Sequence, residues 1–256
     1  MTHKERGQLS KSRNYFDSTV GGLEDGYFAY RWGATPMRRE HYLQMREALR
    51  RVLGRQRFKL LLEVGPGSCV WTPLFAEVAS HVVAVDLSWA MLQDGRRQAG
   101  GWSLSCGDAA ALPIRSGSAD ALCSSRAFEY FPDPSAAVAE FRRVLKPGGF
   151  VLIATKNREF AGYRQRDARP STISNKAEVH SGNLSAGELT RLFSSHGFEN
   201  VRLRPALMGR SNAVGVWAAV RFLRRVADPS WARLPGVISD SCESIMLTAS
   251  SGPEGA

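Results

Sequence analysis

The 256 residues contain no run of roughly 18 or more apolar residues, so no segment has the continuous apolar length needed to cross a bilayer as a helix. Cysteine is scarce. Cys69, Cys106, Cys123 and Cys242 are scattered with no C-x-x-C spacing, which argues against a disulfide scaffold or a zinc ribbon and for free thiols in a reducing compartment. Internal repeats and low-complexity tracts are absent. The first ten residues, Met1 to Ser10, are polar and lack the apolar stretch of a secretory signal, so a cytoplasmic location is expected.

Charge is unevenly spread. The formal net charge is +10, yet residues 61–140 hold 4 Lys+Arg against 9 Asp+Glu. Residues 1–60 hold 13 against 6, and residues 141–201 hold 10 against 5. An acidic middle thus sits between basic flanks. Basic flanks can attract nucleic acid, anionic lipid or an acidic small substrate, or can be plain solvated surface.

The apolar pattern alternates between short runs and helical spacing. Strands are expected at Leu60–Val64, Val82–Asp86, Trp102–Cys106, Ala119–Ser124 and Phe150–Thr155, with Val201–Pro205 and Ser244–Ala249 near the end. Helices are expected over about Val70–Ala79, from the N-cap residue Ser88 to about Gln98, from Asp133 to Leu145, and from Ser185 to His196. A basic amphipathic helix is expected over Arg38–Leu53. Strands and helices in alternation imply βαβ units and a mostly parallel sheet covered on both faces. The expected organisation is a helical N-terminal segment or lid over 1–57 and an α/β unit over 58–256. An insert at 206–241 separates its last two strands and contains the basic amphipathic stretch Val216–Val226.

Three motifs carry chemistry. Glu63-Val64-Gly65-Pro66-Gly67 lies where the first strand meets the first helix, and its glycines let backbone approach a ligand at the carboxyl edge of the sheet. A dinucleotide site would place a third glycine where this chain has Val70, which argues against NAD. Glu63 can instead meet an ammonium group or its ordered water. Asp86 ends the second strand, 19 residues after Gly67, and can accept from both ribose hydroxyls. Asp108, in Gly107-Asp108-Ala109, can accept from an adenine amino group beside small residues. The alternatives are a mere tight turn at Gly65–Gly67, an Asp86 that caps the helix at Ser88, and a turn residue at Asp108.

With Phe131-Pro132-Asp133-Pro134 and Val144-Leu145-Lys146-Pro147-Gly148-Gly149 added, the chain resembles the class I S-adenosylmethionine-dependent methyltransferases, most closely the small-molecule group that includes quinone-biosynthesis enzymes. The resemblance covers about residues 58–205 and the last strand. It implies a Rossmann-like seven-stranded sheet of order 3-2-1-4-5-7-6 with strand seven antiparallel. It implies S-adenosylmethionine as cofactor, with Gly65 and Gly67 behind the methionine part, Asp86 at the ribose, and Asp108 with Ala109 at the adenine. Glu63, Pro66, Leu87, Gly107, Ser125 and Arg126 complete the expected cofactor contacts.

The acceptor is less legible. The loop after strand four holds Arg126, Glu129 and Tyr130, expected beside the methyl group. His180 lies in a polar segment that can cover the site. His180, Glu129 and Tyr130 are the candidate catalytic residues, an unperturbed histidine titrating near neutrality. No N/D-P-P-Y/F follows strand four, which argues against amino-methylation of nucleobases, and no His/Asp cluster suggests a metal. The expectation is O- or C-methylation of a small lipophilic or anionic acceptor, by a monomer or homodimer that can touch a membrane surface. The alternatives are an RNA or protein methyltransferase, or a cofactor-binding module without catalysis.

Overall fold

The computed structural model describes residues 3–97, 100–160, 183–208 and 242–253. The chain opens with α1 (His3–Gly21), then one helical turn, α2 (Gly26–Phe28), which runs directly into a π turn over Ala29–Gly33. Next comes α3 (Pro36–Leu53), whose start is set by the Thr35 hydroxyl accepting from the Arg38 N–H and by Pro36 in the first turn. Gly54, at φ +45°, ends it. The alternating part then follows: β1 (Phe58–Val64), α4 (Thr72–Ala76), β2 (Ala79–Asp86), α5 (Trp89–Gly95), β3 (Ser103–Cys106) and β4 (Ala119–Ser125). A 3-10 turn over Phe128–Tyr130 leads to α6 (Pro134–Val144) and β5 (Leu145–Lys156). The last elements are α7 (Ala186–Ser195), β6 (Phe198–Met208) and β7 (Cys242–Ser251).

The seven strands form one sheet in the order β3-β2-β1-β4-β5-β7-β6. The first five pair in parallel, and β7 runs antiparallel to both β5 and β6. This is the architecture the family resemblance implies. Period-2 alternation puts neighbouring residues on opposite faces, and in the central strands both faces are buried. Leu62, Leu122 and Ile153 join Phe141 and Phe193 on one side. Leu61, Cys123 and Leu152 join Met45, Leu49 and Phe75 on the other. Met45, Leu49 and Leu53 recur every four residues along α3, so this basic helix lies on the sheet face with its arginines outward.

Short-range chemistry accounts for most helix starts. Ser88 accepts from the Met91 N–H at the head of α5, Asp133 accepts from Ala136 at the head of α6, and Ser185 with Glu188 forms a reciprocal capping box at the head of α7. Several elements differ from expectation. The helix expected over Val70–Ala79 is only Thr72–Ala76, because Ala79 is already paired with Phe58 across the sheet. Strand β5 begins at Leu145 rather than Phe150. Leu145 pairs with Ala119 and Phe150 with Ala121, so Lys146–Gly149 bulges out between two paired positions. Helix α1 falls within the helical segment expected over 1–57, where only Arg38–Leu53 was delimited as a helix. Of the 206–241 insert, residues 209–241 lie outside the described residues, as does His180.

Strand order reverses between β1 and β4. The loops leaving their carboxyl ends part there and open a crevice.

Candidate active site

The crevice is a cavity with about 970 Å³ of space between atoms, its open mouth included. Its floor is the turn after β1. Gly65 and Gly67 stand at φ +73° and +56°. A Cβ on Gly65 would come within 2.2 Å of the Ala127 methyl, so only glycine fits where this turn passes the loop after β4.

Asp86 lines the cavity half-buried at the end of β2. Its two oxygens accept from the backbone N–H groups of Gly67 (2.9 Å) and Ser88 (2.8 Å). The glycine turn is thereby tied to β2, while each oxygen keeps lone-pair capacity for a ligand. Burial pushes its carboxyl up to about 6, against the pull of those backbone donors. Asp86 thus does serve the local turn at Ser88, as the structural alternative held, and it faces the cavity as well. Asp108 lines the same space, with Oδ1 accepting from Ala110 N–H at 3.0 Å. Pro66, Leu87, Gly107, Ala109, Ser125 and Arg126 also line it.

Two expected contacts fall elsewhere. Glu63 is 1% exposed and lies beneath the turn instead of on the cavity wall. Its Oε2 accepts from the Thr72 hydroxyl at 2.6 Å, and burial drives its carboxyl up to about 8. Glu129, expected beside the methyl group, is fully buried. It is drawn inward by Arg126, whose Nε lies 3.4 Å from Glu129 Oε1, and it accepts from the Thr155 hydroxyl. Arg126 also donates to Ser244. Its φ of +62° is a strained value for a side chain with a Cβ, and these partners hold it there. Tyr130 does line the cavity, its ring edge against Phe16 at 5.0 Å.

The cavity's other wall comes from the 1–57 segment, expected as helical or a lid, at residues to which the sequence assigned no site role. Leu9, Ser12, Arg13 and Phe16 come from α1, and Tyr27, Arg31 and Trp32 from the α2–π turn. Leu9, Ser12 and Phe16 recur at helical spacing, a signal that was available but diluted by the charged residues around it. Two contacts fasten this wall to α5: Ser88 Oγ donates to Asp17 of α1 at 2.5 Å, and Tyr27 N–H donates to Asp94 at 3.0 Å. Neither had a sequence signature.

A family model described as a methyltransferase domain matches residues 62–153, the stretch that holds the glycine turn, Asp86, Asp108 and Arg126. This stretch is similar to that family, and with the sheet order it supports a class I S-adenosylmethionine-dependent methyltransferase. Among similar proteins is one from Mycolicibacterium smegmatis described as a probable S-adenosylmethionine-dependent methyltransferase, 31% identical over 184 residues, which cover 72% of this chain and 64% of that protein. A demethylmenaquinone methyltransferase from Renibacterium salmoninarum is 36% identical over 94 residues, covering 37% and 40%. The chain thus spans less than two thirds of these relatives' length. Among solved structures, a methyltransferase of Haloferax volcanii in complex with the Trm112 activator shares the fold. It has a TM-score of 0.64 and 20% identity, covering 93% of this chain and 98% of that one.

The residues present fit the family's cofactor. Asp86 lines the cavity with carboxylate oxygens suited to ribose hydroxyls, Asp108 stands beside the small Ala109, and the glycine turn lines the same space, as an amino-acid tail would require. Two carboxylates at this end also suit a cationic ligand.

Proposed function

We propose that this protein transfers the methyl group of S-adenosylmethionine to oxygen or carbon of a small acceptor that is apolar, anionic or both. The observation that carries this reading is that one cavity joins the glycine turn and its carboxylates to an aromatic and cationic wall built by α1 and the α2–π turn. In this reading Gly65 and Gly67 hold the methionine part, Asp86 the ribose, and Asp108 with Ala109 the adenine. The bound cofactor supplies an electrophilic methyl carbon activated by the positive sulfur.

The chain's own work is then to place the nucleophile in line and to exclude water. Leu9, Phe16 and Trp32 cover the acceptor and keep water out. Tyr27 and Tyr130 hold their protons, since burial raises Tyr27 to about 12 and Tyr130 well above its ordinary value. They serve as hydrogen-bond donors that orient an acceptor oxygen. A wall of protonated phenols and guanidinium groups suits an acceptor that arrives already ionised or readily ionised, for which proton removal is a small part of the barrier. Ser125 and Arg126, the latter locked in place by Glu129 and Ser244, form the boundary between the two halves.

The test uses S-adenosylmethionine labelled in its methyl group and a cell extract. Label is expected in the solvent-extractable small-molecule fraction. Label that disappears on nuclease or protease treatment would support the RNA or protein alternative. Tight S-adenosylhomocysteine binding with no transfer to any fraction would support a non-catalytic module.

A further inference from the structure

The π turn is the least ordinary backbone in the described chain, and what it presents to the cavity is specific. Five-residue π turns are rare and concentrate at functional sites, because the wider coil puts neighbouring side chains where an α-helix would not. Here Ala29–Gly33 places both Arg31 and Trp32 on the cavity wall. Trp32 is 5% exposed and anchored in the core against Trp71, with ring centroids 5.4 Å apart. The Arg31 guanidinium lies 4.5 Å from the centre of the Trp32 ring, so a fixed aromatic plane holds a half-buried cation in position.

The charge of Arg31 is not used up within the described residues. The buried Arg126 has Glu129 as its counter-ion, whereas no described carboxylate lies within salt-bridge distance of Arg31. Around it stand hydrogen-bond donors: the phenols of Tyr27 and Tyr130 feel its charge, and Arg13 lines the same wall nearer solvent. The cavity thus carries charges of both signs. Asp86 and Asp108 line it from the ends of β2 and β3, and Arg13 of α1 and Arg31 of the π turn line it together with the apolar Leu9, Phe16 and Trp32.

The geometry points to Arg31 as the specificity-determining residue of an acceptor subsite for an amphiphilic acid, a molecule with an apolar body and a carboxylate that the guanidinium grips. This rests on reading the cavity as a methyl-transfer site. A guanidinium presents paired N–H donors that match the two oxygens of a carboxylate, and in a half-buried site this contact is screened little by solvent. The apolar wall receives the body, and the Tyr27 and Tyr130 hydroxyls supply further donors.

The probes are octanoate and 1-octanol, which share a chain and differ in the head group. Binding is measured calorimetrically on the full chain, with and without saturating S-adenosylhomocysteine. The expected result is octanoate binding at least tenfold tighter than 1-octanol to the unaltered protein. In Arg31→Gln the preference should vanish while the affinity for S-adenosylhomocysteine and the melting temperature stay within error. Arg31→Lys should restore part of it. Failure of octanoate to bind, equal affinity for both probes, or an unchanged preference in Arg31→Gln would each overturn the assignment. Failure of the protein to bind S-adenosylhomocysteine would instead sink the cofactor reading, and the octanoate preference is read independently in its absence.

Discussion

Glu63 offers a sharp test of the electrostatics beneath the glycine turn. The side chain is 1% exposed, its Oε2 accepts from Thr72, and its Oε1 has no hydrogen-bond partner among the described residues. Burial raises its pKa from 4.5 to about 8, with the nearby Asp86 adding to the rise and Thr72 opposing it. A carboxyl with a raised folded-state pKa binds its proton more tightly folded than unfolded. Its contribution to stability is therefore fully present below about pH 4.5 and is lost as pH rises through 8. The whole loss is of order 5 kcal/mol at about 1.36 kcal/mol per pH unit, and about 2 kcal/mol of it falls between pH 6 and 8. Asp86, raised to about 6, acts with the same sign but mainly below this window. The perturbation is Glu63→Gln, a near-isostere that cannot ionise. Its amide leaves a buried donor unmatched at a cost of roughly 1–3 kcal/mol, which shifts the whole curve without tilting it. Urea unfolding of the ligand-free protein at several pH values should show the unaltered protein losing about 2 kcal/mol relative to the variant between pH 6 and 8. Parallel curves across that range would refute the reasoning and show that Glu63 ionises without penalty, through rearrangement or water entry.

The other predictions concern the site and its wall. Gly65→Ala would push a methyl to within 2.2 Å of Ala127 at φ +73°, so a loss of roughly 1–3 kcal/mol in urea melts is expected along with loss of S-adenosylhomocysteine binding; wild-type affinity would show that the turn yields cheaply. Asp86→Ala should weaken S-adenosylhomocysteine binding by at least tenfold in calorimetry, and an unchanged titration would remove Asp86 from the site. Asp17→Asn weakens the tie from α1 to Ser88, so amide hydrogen exchange in α1 should accelerate with a stability change of about 1 kcal/mol. Unaltered exchange would mean that apolar contacts alone hold the helix.

Much of the fold was legible because its signals are local. The glycine turn, the carboxylates at two strand ends and the caps at Ser88, Asp133 and Ser185 each act within a few residues, so their chemistry can be read along the chain. The parallel sheet followed from runs such as Leu60–Val64, which are apolar on both faces because helices cover both. Element ends were less legible. Ala79 reads as the tail of a helix and Leu145 as the end of another, yet both are strand residues because their partners, Phe58 and Ala119, lie far away in sequence.

Only the tertiary structure decided what each charged side chain does. Glu63 and Glu129 look like equal candidates in one dimension, as short acidic interruptions of apolar sequence near strand ends. In three dimensions one lies below the turn with Thr72, and the other closes a buried ion pair with Arg126. The wall built by α1 and the α2–π turn was hidden for the same reason. Helix α1 is too polar to announce a buried face, and it is held over the cavity by Asp17 and Tyr27 meeting α5 some seventy residues away. A residue's backbone preference belongs to its neighbours in the chain, whereas the partner and burial that set its charge belong to its neighbours in space.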